Sequence, residues 1–279
     1  MNPKLRLGDA MFWTFTVWFS MQLAVVFLVK ASPAAAKDLV MLAGVQIVVF
    51  LLGCALFAAR RSSSSWSELF ALRPASPVLL GVSLLLGAAM TFPSEWLGAL
   101  IQRAFPLDAA AVAELSERLA MRSPLHGAAL FLVAAVLGPL VEELLFRGAL
   151  FTGLRPAHTP AVAVVATAIL FAMTHLVLQL LLPIAVLALL LGWLRAASGS
   201  LAPSLLMHVG YNGTTLGMAF AYGTKPESEL PATWLVLSGL ASACVLGLAA
   251  HLLTQKDGRA VEGRRLDGVL PAVPGATLS

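Results

Sequence analysis

The sequence predicts an all-α fold, a polytopic transmembrane helical bundle of about eight spans with a polar site inside the membrane. Three observations predict it. Apolar residues make up 59% and charged residues 11% of the 279, where soluble domains carry roughly 45–50% and about 25%. Mean hydropathy is +0.89. The apolar residues also fall in runs of about 20, the length that crosses a bilayer as a helix, and not in the period-two alternation of a membrane barrel. So few charges cannot cover a soluble globule of this size. The net charge of +4 belongs with cytoplasmic loops rich in Lys and Arg, so no nucleic-acid partner is expected.

The spans are read at about 11–29, 39–59, 77–101, 126–153, 160–182, 183–198, 201–222 and 232–253. Together, residues 1–254 form the bundle, and 126–222 hold its chemistry. Lys4 and Arg6 ahead of the first run, with Ala31–Ala36 after it, resemble a signal peptide. That run exceeds the usual 7–15 residues of a signal core, so it reads as a retained helix. Pro93 and Glu95 interrupt the third run, and Pro93, lacking an N–H, should kink it. Ser62–Ser65 reads as a flexible loop. Between spans three and four, Val112, Leu115 and Leu119 recur at helical spacing and Glu114–Arg118 is an i,i+4 pair. That segment fits either an interfacial amphipathic helix or a solvated linker helix. Pro183 marks a corner between spans five and six. The tail 255–279 is polar and reads as a disordered cytoplasmic segment. Cys54 and Cys244 lie in apolar runs, with no zinc-type Cys/His spacing around them.

Eight spans put both termini on one side. Twelve Lys and Arg then fall on that side and six on the other, which places both termini in the cytoplasm. A bacterial inner membrane is the expected location.

Ionisable residues inside spans are the informative signal, because each costs roughly 2.5–3.5 kcal/mol at a helix centre. Span four contains Glu142, Glu143 and Arg147. Glu143 and Arg147 are i,i+4 with the acid on the N-terminal side, the favourable order for a helical pair. Glu142 lies about 100° around the helix without such a partner and is left for chemistry. Span five carries Phe171 and His175 on one face, and span seven carries His208 and Asn212 on one face. Gly210, Gly213 and Gly217 would let span seven approach its neighbours closely. The same residues could instead form a static network that docks helices. Depth offers a check. Counted from the cytoplasmic ends, Glu142, His175 and His208 lie roughly 16, 22 and 10 Å deep at 1.5 Å per residue. His208 is too shallow unless the stretch before span seven, Ser198–Pro203, dips into the bundle.

Glu142-Glu143-x-x-x-Arg147, Phe171-x-x-x-His175 and His208-x-x-x-Asn212, in that order and each in an apolar span, resemble the CAAX-prenyl-protease and bacteriocin-processing (CPBP, Abi) family. The group includes the type II CAAX endopeptidases, and the resemblance covers about 126–222. It implies an intramembrane endopeptidase acting on a membrane-associated peptide or protein. In that family the residues matching Glu142 and His175 activate water. Those matching His208 and Asn212 stabilise the oxyanion or help hold a metal, while Glu143, Arg147 and Phe171 support the site. The family is commonly labelled metalloprotease, and Glu142, His175 and His208 could bind zinc with water in a fourth position. No HExxH helix is present, and the same residues suit metal-free hydrolysis by a Glu base and an oxyanion donor. The alternatives are a non-enzymatic membrane protein, such as a bacteriocin immunity factor or a scaffold, and a transporter using Glu142 and Glu143 as carriers. The absence of an internal repeat argues against the last. Oligomeric state is not legible.

Overall fold

The computed structural model describes residues 4–61, 64–175, 177–222 and 232–267, the side chains of 232–235, 237 and 255–267 excepted. Among the described residues there is no strand, and the chain is a helical bundle. Its helices are α1 (Leu7–Ala31), α2 (Leu39–Ala59), α3 (Trp66–Leu69), α4 (Pro77–Ala104), α5 (Ala109–Leu119), α6 (Pro124–Leu154), α7 (Pro160–Met173), α8 (Leu178–Ser198), α9 (Ala202–Tyr222) and α10 (Ala232–Asp267). Five of them, α1, α2, α4, α6 and α8, are long and apolar enough to cross a membrane by length and composition; α7 and the stretch Ser238–Thr254 of α10 are shorter apolar helices. The chain is an integral membrane protein, and eight spans are compatible with this arrangement.

Several boundaries differ from the sequence reading. The fifth span ends at Met173 and the sixth starts at Leu178, so Pro183 lies inside α8 and the corner falls at 174–177. The cause is local. The Thr174 N–H and hydroxyl both bond to the Phe171 carbonyl, and the His175 N–H bonds to Ala172 O, tightening the last turn. Side chains that bond the backbone locally compete with helix continuation. Pro183 is the sixth residue of α8, where its missing N–H leaves the Gln179 carbonyl without its α-helical donor. Helix α4 runs unbroken through Pro93. Helix α10 covers the eighth expected span and extends through Gln255–Asp267; residues 268–279 lie outside the described residues, as do Ser62 and Ser63. Ser65 is not loop but the N-cap of α3, accepting from Glu68 N while Glu68 reaches back to its N–H. The segment before α6 is the expected helix α5, with its Glu114–Arg118 pair at 2.6 Å and no buried residue.

The tightest crossing is α4 against α9. A Cβ on Gly87 would run into the Met207 carbonyl, and one on Gly210 into the Leu84 carbonyl. Of the three glycines expected to permit close approach, Gly210 does so. Gly213 meets only the Phe131 ring at 3.4 Å and Gly217 has open space. Thr91 Oγ1 donates to Tyr211 O at 3.4 Å and Ser94 shares a 2.7 Å hydrogen bond with the Tyr211 hydroxyl across this seam.

At one end of the bundle, Leu5 N–H bonds to Gly153 O, Leu201 N–H to Ala71 O and Ser200 Oγ to Arg73 O. Ser200 and Leu201 are 1% and 3% exposed. The turn before α9 therefore dips into the bundle against the segment 70–76. The dip is accommodated at Ala71, whose φ is +52°, a left-handed conformation that costs a non-glycine residue roughly 1–2 kcal/mol. At the other end, Asp38 caps α2 through Val40 N–H at 2.8 Å and pairs with Arg122 at 3.0 Å. His126 lies 3.4 Å from the same carboxylate.

Candidate active site

Helix α6 carries the first motif, and it is not a uniform α-helix. It holds two π-helical stretches, Leu132–Leu137 and Leu144–Leu150, on either side of Gly138–Glu143. The first follows from the sequence. Pro139 has no N–H, so an α-helical ladder through it is broken in any case. Gly138 N–H reaches Val133 O, bypassing Ala134 O, and Pro139 cannot supply the missing donor. Asn212 does: its Nδ2 donates to Ala134 O at 3.1 Å. The second stretch repeats the pattern. Phe151 N–H reaches Phe146 O, bypassing Arg147 O, and Arg195 Nε donates to that oxygen at 3.0 Å. A bypassed buried carbonyl must find a partner in a membrane interior, and here two side chains from α9 and α8 provide it.

Glu143 and Arg147 are fully buried and paired, Nη1 to Oε1 at 2.9 Å. Arg147 Nη2 also donates to Ala188 O at 2.9 Å, and its guanidinium lies 4.7 Å from the Phe171 ring centre. His208 joins the two acids of α6. Its Nδ1 is 3.1 Å from Glu143 Oε1 and its Nε2 is 3.6 Å from Glu142 Oε2. A carboxylate only accepts, so Nδ1 carries a proton toward Glu143. The other oxygen of Glu142 accepts from Gln46 Nε2 of α2 at 2.5 Å. Glu142 is thus held from two sides by side chains of other helices. Two acids and two bases meet here, so the cluster can balance its charge internally, as buried ionisable groups require.

Phe171 is the common wall. Its ring centre lies 5.1 Å from Phe146, 4.9 Å from His175 and 5.7 Å from His208. His175 sits two residues past the end of α7, not inside it. Its Nδ1 lies 3.1 Å from the Phe171 carbonyl. A carbonyl cannot donate, so Nδ1 bears the hydrogen and the neutral ring keeps its lone pair on Nε2. Trp18 Nε1 of α1 fixes the same turn by donating to Thr174 O at 3.0 Å. Beside it lies a cavity of about 310 Å³ between α1, α2 and the turn after α7, walled by Trp18, Gln22, Gln46, Phe50, Thr174 and His175.

Glu142, Glu143, Arg147, Phe171, His175 and His208 therefore form one cluster, and Asn212 reaches it through the backbone of α6. Zinc asks for three or four protein ligands, three where a water completes a catalytic site. Among the described residues no three His, Cys, Asp or Glu side chains gather to hold one. Glu142 meets His208, while His175 stands across Phe171. As placed, the residues do not fit a zinc ion. Three members of the site were missed in the sequence. Gln46 is an isolated carboxamide in an otherwise apolar span, and that isolation was the available signal. Gln22 is a second. Arg195 was counted among the cytoplasmic cations, yet it is 7% exposed and bonded to the Arg147 carbonyl and to Thr152 Oγ1 at 3.1 Å.

Residues 124–214 match the family model of the Rce1-like type II CAAX prenyl endopeptidases. The matched stretch holds all three motifs, Glu142 through Asn212, and the family is the one those motifs resemble. No curated protein and no solved structure matches the chain significantly.

Proposed function

We propose that the chain is an intramembrane endopeptidase that hydrolyses a peptide bond of a membrane-associated protein or peptide with water activated by Glu142 and His175. The observation that carries this reading is the placement of Glu142. Its carboxylate is held by Gln46 and His208, and Gln46 and His175 wall the same cavity. The family match over 124–214 supports it independently.

The chemistry follows from the groups present. Glu142, as a carboxylate, takes a proton from water, and the hydroxide adds to the scissile carbonyl carbon. His175 accepts a hydrogen bond from the same water at Nε2 and aligns it, and the oxyanion is met by an N–H donor, a role open to the second N–H of Asn212. The proton held by Glu142 then passes to the leaving nitrogen, and the C–N bond breaks. His208 orients Glu142 and shares its proton; Glu143 and Arg147 hold His208 and the wall behind it.

The membrane is proposed to be a bacterial inner membrane with both termini in the cytoplasm. With the buried Arg61, Arg147 and Arg195 removed, nine Lys and Arg remain on the inner side against six, so the charge asymmetry survives.

The test is cleavage by the purified chain in liposomes. A library of membrane-proximal peptides is offered to wild type, Glu142→Gln and His175→Ala, each with and without a zinc chelator. Both variants are expected to lose at least about 100-fold in rate, the usual worth of a general base, and the chelator to have no effect. Equal cleavage by wild type and Glu142→Gln sinks the mechanism. A wild type that cuts nothing, with a Glu142→Gln chain that keeps its cellular role, favours a binding protein instead.

A further inference from the structure

We propose that the cavity between α1 and α2 is the subsite for an extended stretch of substrate backbone, with Gln22 as the residue that hydrogen-bonds it and Gln46 as the positioning residue for Glu142. The proposal rests on the peptidase reading above. In a helix each carbonyl is engaged with an N–H four residues on and sheathed by side chains, so a segment presented for hydrolysis has to be unwound. Unwinding within a membrane frees N–H and C=O groups that cost several kcal/mol each if nothing replaces their partners. The cavity supplies replacements. Helices α1 and α2 are long and apolar enough to cross a membrane, yet each turns one carboxamide to this cavity.

The two carboxamides are in different states. Gln46 Nε2 is committed to Glu142 Oε1, which leaves its carbonyl oxygen as an acceptor. Gln22 has no hydrogen-bond partner among the described residues, so it offers both an N–H donor and a carbonyl acceptor, the complement of one peptide group. The walls beside them are Trp18 and Phe50, which are fixed: Trp18 is bonded to Thr174 O and Phe50 is 3% exposed. The volume of about 310 Å³ lies at the lower end of the roughly 300–1,000 Å³ of ligand sites, suited to a short extended stretch. Recognition through backbone groups also predicts broad tolerance of substrate side chains at the positions that Gln22 contacts.

The experiment uses the full chain in lipid nanodiscs and one peptide that wild type cleaves, taken from a pool of internally quenched membrane-proximal peptides. Esters replace single backbone amides of that peptide, position by position, each removing one N–H. In wild type, one ester near the scissile bond is expected to raise KM about three- to tenfold, the worth of one hydrogen bond. Gln22→Leu is expected to raise KM by a similar factor with kcat within about twofold, and to be insensitive to that same ester. Gln46→Leu is expected to lower kcat instead, because it frees Glu142. Gln22→Met, with an unbranched chain of similar length, carries the same test should the leucine variant fail to accumulate. Wild-type KM in Gln22→Leu, or equal ester penalties in wild type and variant at every position, overturns the subsite and leaves the peptidase reading standing. A wild type that cleaves no peptide overturns both.

Discussion

Arg147 is the side chain on which most of the site leans. It neutralises Glu143, donates to the backbone of α8 at Ala188 and lies against Phe171. A buried pair of this kind is weak support for stability as a pair, but breaking it is costly because the surviving charge is stranded. Arg147→Met should therefore cost about 3–5 kcal/mol, seen as a lower melting temperature in detergent and poor accumulation in membranes. The double variant Glu143→Gln with Arg147→Met should recover part of that loss, since no lone carboxylate remains. Residue types and spacing foretold this pair and the cluster around it. They could not foretell Gln46, because a side chain from a helix almost a hundred residues away is placed by packing and not by local period. The family resemblance gave Asn212 to the oxyanion or a metal, whereas one of its N–H groups belongs to Ala134 O.

Among the elements, α6 shows most clearly what periodicity hides. Hydropathy finds the span but is blind to whether its hydrogen bonds run to the fourth or the fifth residue. Only Pro139, inside the span, hinted at a departure. The clasp at the second π-helical stretch gives a test. Arg195→Met removes the donor from Arg147 O and should cost about 1–3 kcal/mol for the orphaned carbonyl, while Arg195→Lys should restore part of it. Thermal unfolding in detergent reads the stability change. A drop in kcat at unchanged KM would show that the stretch also positions Glu142 and Glu143. The capping of α2 makes a second prediction. Burial raises the proton affinity of Asp38, but Val40 N–H, His126 and Arg122 outweigh it and hold its carboxyl below the usual range. A lowered folded value means that its stabilisation is full above the ordinary carboxylate value near 4 and is lost as pH falls through the lower folded one. Asp38→Asn keeps the cap and should flatten the acid limb of the stability profile below about pH 4, measured as melting temperature against pH.

For the whole molecule, composition settled the class, because burial and lipid contact leave so little room for charge. The start of α7 was legible at Pro160, after the capping Thr159, whereas α6 starts at Pro124, after the capping Ser123, two residues before the position read for it. Boundaries were misread where function sets them: α7 stops at Met173 because Thr174 and His175 bond back to Phe171, not because of Pro183. The close α4–α9 seam was half legible, since Gly210 was found on one helix but Gly87 on the other has no neighbouring motif to mark it.

The two π-helical stretches carry a consequence for how this region tolerates change in chain length. A bond to the fifth residue encloses one residue more than a bond to the fourth, so each stretch stores one residue of surplus. Deleting a single residue from Leu132–Leu137 would let that turn relax to the α-helical ladder. Because the surplus residue is absorbed within the stretch, the helix segments on either side would keep their facing, whereas a deletion in the α-helical part between the stretches would rotate one side against the other by about 100°. Substitutions among these apolar residues are mild by comparison, because each keeps the register. A single deletion within either stretch is therefore the length change that this helix can absorb, and a deletion within Gly138–Glu143 is the one that turns the acids away from the bundle that aims them.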